Sequence, residues 1–224
     1  MEAFFPGQYA AEAIMQLLVG AVSPSGLLPV TVYDADYINR RPITLLDLRA
    51  SGGVTYRYFE GTPLWPFGFG LSYADVSFKA KNGSAIIHTT VAVPDYEHLC
   101  FEVYVTNADS GVAGAGADVG ADVTASAGAG VGMAVDVVVL AFIKSDHSDA
   151  PRNPKLADFV REDAIRVGEQ RTVLVCVGPD SLPLVSDDGK ERVLPGEYGV
   201  TVGVKGGVGG DGAGSLVGTI VVHA

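Results

Sequence analysis

The sequence predicts a mainly β fold, a β-sandwich preceded by a short piece of α/β structure. Three observations carry that expectation. From Val76 onward, apolar residues recur at every second position in several short runs separated by turn signals. Before Val76 there is a single helical stripe followed by one short apolar run. The two halves also differ in texture, because both glycine-dense stretches, 108–136 and 203–214, fall in the second half.

Taken in order, Met1–Phe5 reads as a short strand entering the Pro6-Gly7 turn. Ala11, Ile14, Met15 and Leu18 then mark one face of an amphipathic helix, with Gly20 placed to end it. Ser23-Pro24-Ser25-Gly26 is a turn, and Leu28–Val32 reads as a strand whose proline puts it at a sheet edge. Residues 33–48 lack periodicity and read as a connector, and Thr55–Phe59 reads as a strand. The predicted strands of the sandwich are Ala85–Val93, Cys100–Thr106, Val137–Phe142, Arg171–Val177, Tyr198–Val204 and Ser215–Val222. Asp187-Asp188-Gly189 is a hairpin-type turn. Leu194-Pro195-Gly196-Glu197 places Tyr198 just past a sharp corner, where a phenol can bond backbone upstream.

The stretch 108–136 holds seven glycines, nine alanines and no lysine or arginine. It offers little to bury against its chain entropy, so it reads as a disordered loop inserted between two strands. Loop-closure cost grows only logarithmically with length, so the scaffold tolerates it.

Composition excludes several function classes. The formal charge of −11 over 224 residues, with no basic run, argues against a nucleic-acid or anionic-membrane partner. No apolar run approaches the ~20 residues that span a bilayer. Met1–Gly7 has neither the basic region nor the apolar stretch of a secretory leader.

Several strings, in order and at the right spacing, resemble one family. They are Pro6-Gly7-Gln8, Glu12-Ala13-Ile14, Ser23-Pro24-Ser25-Gly26, Leu28-Pro29-Val30-Thr31, Thr55-Tyr56-Arg57-Tyr58-Phe59 and Pro66-Phe67-Gly68-Phe69-Gly70-Leu71-Ser72-Tyr73. Together they resemble the C-terminal part of glycoside hydrolase family 3, the β-glucosidases and β-xylosidases. Pro42-Ile43-Thr44 leans toward the xylosidase branch. Glu102–Asn107, Lys155-Leu156, Val167-Gly168-Glu169 and Pro195–Tyr198 resemble that family's fibronectin type III-like (immunoglobulin-like) domain. The resemblance therefore divides the chain into 1–75, a remnant of an α/β sandwich domain plus connector, and 76–224, the fibronectin type III-like domain. It departs from the family at Ala10-Ala11, in place of Gly-Gly, and at Leu27 and Val54, each in place of an arginine.

The resemblance implies hydrolysis of terminal non-reducing β-glycosides, with β-xylosides favoured, by two carboxylates in a double displacement. In the family both carboxylates lie upstream of the Pro-Gly-Gln string. No acidic residue here sits in a string like either site, so no catalytic residue is assigned. The expected role of this chain is to buttress catalytic domains that meet a β-linked oligosaccharide. The alternative is a non-catalytic fibronectin type III-like module that binds carbohydrate or protein. For full-length relatives the resemblance implies an extracellular, vacuolar or lysosomal setting.

Aromatic rings stack on sugar faces, which makes Tyr58 and Trp65 candidate substrate-binding residues. Packing at a domain boundary is the favoured account of the same aromatic segment. Arg57 is expected to pair with Asp47 or Glu60. The four histidines, His88, His98, His147 and His223, show no metal-ligand spacing, and neither metal nor cofactor is expected. Cys100 and Cys176 both alternate away from the valine faces of their strands, which leaves either a disulfide or two buried thiols.

Overall fold

The computed structural model describes residues 2–83, 85–90, 99–108, 133–148, 150–185, 189–203 and 215–223. Most of the inserted Gly/Ala stretch, most of the second glycine-dense stretch and two residues of the Asp187-Asp188-Gly189 turn lie outside these residues.

The strands of the second half form two facing sheets. One is three-stranded, in the order β1 (Asp75–Ala80), β3 (Leu99–Ala108), β6 (Gln170–Val177). The other is five-stranded, in the order β2 (Ala85–Thr90), β10 (Ser215–His223), β9 (Gly196–Val202), β4 (Val135–Ser145), β5 (Lys155–Ile165). Neighbours run antiparallel except β10 with β2, which run parallel. A two-residue pair, β7 (Leu184–Val185) with β8 (Glu191–Arg192), flanks the predicted hairpin turn.

The core follows from the period-two pattern. Phe101 and Val103 on β3 stand opposite Val175 and Val173 on β6, with Val105 and Val177 extending the same buried face. Val139 and Ala141 on β4, Val200 and Val202 on β9, and Ile220 on β10 close the core from the other sheet, all fully buried. Each such aliphatic side chain contributes roughly 1.5–3 kcal/mol by leaving water, so valine alternation alone goes far toward specifying this sandwich.

Tyr198 behaves as its corner position predicts. Its hydroxyl donates to the Leu194 carbonyl at 2.9 Å and accepts the Leu194 N–H at 3.2 Å. Burial raises its pKa above the ordinary phenol value. Tyr198→Phe should therefore lower stability by about 1–2 kcal/mol, because it strips the partner from two backbone groups at once. Urea unfolding checks this; an unchanged midpoint would show that the corner is not fastened by the hydroxyl.

Asn107 explains how a long insertion is tolerated at the end of β3. Its side chain is fully buried and its Nδ2 donates to the carbonyls of Ile165 (2.9 Å) and Met133 (3.2 Å), the latter near the end of the insertion, two residues before β4. Its backbone N–H donates to Glu169, and its carbonyl accepts from Gly168, whose φ of +75° forms the turn. Both ends of the insertion are thus tied to the β5–β6 corner. Two predicted boundaries shift: Ala108 belongs to β3, and Val135-Asp136 belong to β4 rather than to the loop.

Other expectations need correction. Helix α1 (Ala10–Leu18) is present, but Met1–Phe5 contributes no strand among the described residues. Leu28–Val32 is not a sheet strand. It runs beside 64–69, joined by backbone hydrogen bonds and one isolated bridge, Val32 to Trp65, because Pro29 and Pro66 lack the N–H groups that a regular ladder needs. The connector contains a short helix, α2 (Tyr37–Arg40). Thr55–Phe59, expected as a strand, is a helical turn, α3 (Thr55–Tyr58). Strands β1 and β5 are additions to the predicted set.

Candidate functional site

The aromatic segment 55–69 is the chemical feature that most distinguishes the first part of the chain, and its shape begins with Gly53. At φ +75°, a Cβ here would lie 1.8 Å from the Tyr58 carbonyl oxygen, so only glycine lets the chain double back. The Thr55 N–H then donates to the Tyr33 hydroxyl at 2.7 Å, and the Phe59 N–H closes onto the Thr55 carbonyl. Tyr33, Tyr37 and Phe59 form a compact ring cluster: Tyr33 stacks on Tyr37 at 4.1 Å and meets Phe59 edge-on at 4.9 Å. Burial raises the pKa of both tyrosines. The buried Arg41 guanidinium gathers the carbonyls of Leu45, Asp47 and Ala50, which gives the connector its shape without regular structure.

On the far side of this turn, residues 55–67 are fastened to the sandwich. Tyr56 stacks on Phe67 at 4.3 Å, and both meet Phe142 of β4 edge-on, at 6.4 and 6.2 Å. The Tyr56 hydroxyl accepts the Leu156 N–H of β5 at 3.0 Å. Asn153 donates from Nδ2 to the carbonyls of Tyr56 (2.8 Å) and Phe59 (2.9 Å). Packing is thus what Tyr56, Phe59 and Phe67 do.

The two candidate substrate-binding residues are not brought together. The guanidinium groups of Arg49 and Arg57 each lie 5.6 Å from the Tyr58 ring centre. Trp65 is about half exposed (47%) and bridges Val32 through its backbone. No ring contact joins them among the described residues. Arg57 forms no ion pair with Asp47 or Glu60; its Nε is buried without a partner, and its guanidinium rests on Tyr58. The ion-pair expectation failed because the turn directs Arg57 toward the sandwich, where it lines a small cavity with Lys155.

Leu27 and Val54, where the resemblance expects arginines, are filled apolar positions. The Leu27 side chain covers Gly70 so closely that a Cβ there would come within 2.5 Å of it. Val54 is the extended residue that enters α3.

Cys100 and Cys176 stand directly opposite each other on β3 and β6 and form a disulfide, with Cα atoms 4.0 Å apart. His88 Nδ1 lies 3.0 Å from His223 Nε2 across the parallel β2–β10 pair. The ring centres are 5.3 Å apart, about the N–N distance plus two ring radii, so the two nitrogens meet head-on near the ring planes. Sequence spacing gave no sign of this pair, since 135 residues separate its members. Among the described residues, no three His, Cys, Asp or Glu side chains are grouped to hold a metal ion.

The surface of the first part is distinctive. Among the described residues, sixteen of the twenty large exposed apolar side chains precede β1, and only Phe59 of the buried apolar residues does. Helix α1 buries no residue, and Met15 and Leu18 of its apolar stripe face outward. That is the surface of a piece made to pack on something larger.

Comparison with known proteins shows what the chain is similar to. Residues 1–73 match the family model described as the glycosyl hydrolase family 3 C-terminal domain. A probable exo-1,4-β-xylosidase, xlnD of Neosartorya fischeri, is 31% identical over 215 residues, covering 89% of this chain and 25% of that protein. β-D-xylosidase 1 of Arabidopsis thaliana is 47% identical over 72 residues, 31% of this chain and 9% of that protein. Among solved structures, a family 3 exo-β-xylosidase (XlnD) in complex with a xylobiose aziridine probe superposes with a TM-score of 0.75. It is 21% identical and covers 98% of this chain and 27% of that one. A Listeria innocua β-glucosidase superposes at 0.66, also 21% identical, over 100% of this chain and 28% of that one. The chain spans about a quarter of the length of the relatives that match most of it. The ordered strings, the sandwich with its tyrosine corner and these likenesses agree: residues 1–73 match the glycosyl hydrolase family 3 C-terminal domain, and the chain as a whole is similar to the C-terminal portion of that family's enzymes.

Proposed function

We propose that this chain is the structural C-terminal portion of a β-glycosidase that hydrolyses terminal non-reducing β-glycosides, with β-xylosides as the preferred class. The observation that carries the reading is the outward apolar face of residues 2–74, anchored from behind to a well-packed sandwich. A free-standing module would leave that face in water at a cost, whereas a portion that braces a catalytic body would bury it. Relatives named as β-xylosidases favour xylosides over glucosides. The disulfide supports an oxidising setting such as the extracellular space.

Assays on aryl β-xyloside and aryl β-glucoside, with this chain and with any longer polypeptide encoded at its locus, test the proposal. The longer product should turn over the xyloside faster, and this chain alone should turn over neither. Turnover by this chain alone would overturn the structural role. So would xylan binding by this chain that is lost on Trp65→Ala, which is the behaviour of a carbohydrate-binding module.

A further inference from the structure

The junction between the 55–59 turn and the sandwich borders a small cavity of about 20 Å³, partly open to solvent. Its charge is out of keeping with the molecule. The chain has 26 acidic and 15 basic residues, yet the residues lining this cavity include Arg57, Lys144 and Lys155 and no Asp or Glu. Ser145, Ser181 and Tyr198 supply hydroxyls to the wall. The Arg57 Nε–H is buried with no acceptor. The Lys155 ammonium spends one N–H on the Asp180 carbonyl at 2.6 Å and keeps two.

We propose that this cavity binds a monatomic anion, chloride in ordinary media. The volume suits a small ion: space of this order holds one water or one halide-sized ion. Charge selects between the two. Beyond the wall hydroxyls, which can serve either species, the remaining polar side chains include the cationic donors Arg57 and Lys155, and these favour an anion over a water. An anion accepts from both of them and offsets the repulsion between Arg57 and Lys155. That repulsion is visible in Lys155, whose pKa is lowered first by burial and next by Arg57, with Glu191 and Asp180 opposing. The ion would tie α3 to β5, so halide binding would strengthen the junction.

Two measurements on the full chain test the site. Crystals grown without chloride and soaked in bromide should show an anomalous scattering peak in the cavity beside Arg57. In solution, the midpoint of thermal unfolding should rise saturably with sodium chloride, by about 5 °C over sodium gluconate of equal ionic strength. Lys155→Met and Arg57→Gln should each abolish that chloride–gluconate difference. The difference is read within each variant, so any general loss of stability cancels. No bromide peak, an equal response to both salts, or a chloride increment that survives in both variants would each overturn the proposal.

Discussion

Phe142→Ala should cost about 3–5 kcal/mol of folding stability, the largest loss of any single truncation at the junction. The side chain is fully buried and lies where β4 and β5 shift register, between Ala141 and Phe142. It supplies the surface that both Tyr56 and Phe67 meet edge-on. Removing the ring therefore opens a cavity in β4 and at the same time withdraws the seat of the 55–67 segment. Aromatic edge contacts add roughly 0.5–1.5 kcal/mol each beyond area burial, so the upper half of the range is expected. Against a total stability of about 5–15 kcal/mol, that is a large fraction. Urea unfolding followed by tryptophan fluorescence reads the loss, and Trp65, the single tryptophan, reports from the displaced side. Hydrogen exchange adds a local readout, because the Leu156 amide held by the Tyr56 hydroxyl should lose protection. A loss below about 1 kcal/mol would mean that the segment is held by other contacts.

What the sequence discloses and what it hides divide along the range of the interactions. β3 and β6 are legible because Phe101, Val103, Val105, Val173, Val175 and Val177 alternate strictly and all point into one core. Tyr198 is legible because its partner, Leu194, is four residues away. β5 is hidden because it is an edge strand. Its one large aromatic, Phe159, faces solvent (67% exposed), and two register shifts against β4 break its period. Thr55–Phe59 has the β-branched and aromatic composition of a strand, but Gly53 and the Tyr33 hydroxyl, 22 residues upstream of Thr55, coil it into a turn. The candidate site shows the same divide. Tyr58 and Trp65 stand out as aromatic neighbours, whereas the residue that does most at the junction is Tyr56, whose partner Leu156 is 100 positions away. No local pattern encodes that pairing.

Replacing both Cys100 and Cys176 with serine should lower stability by about 2–4 kcal/mol. Sequence left the state of these thiols open, because both alternate outward and neither strand alone shows its partner. The β3–β6 register decides it by setting Cys100 opposite Cys176. The link closes a loop of 76 residues, for which chain entropy in the unfolded state gives a ceiling of roughly 4.5 kcal/mol. That ceiling is insensitive to the Gly/Ala insertion within the loop. Deleting residues 109–132 would change it by only about 0.3 kcal/mol, since the dependence on length is logarithmic. The insertion is therefore cheap with or without the cross-link, while the cross-link itself is not. The serine pair should also steepen the urea dependence, because an unfolded chain without the link exposes more surface. Reduced parent protein should match the serine variant in both midpoint and slope. A serine variant as stable as the oxidised parent would show that β3 and β6 are held by Val103, Val105, Val173 and Val175 alone, with the disulfide contributing nothing to folding.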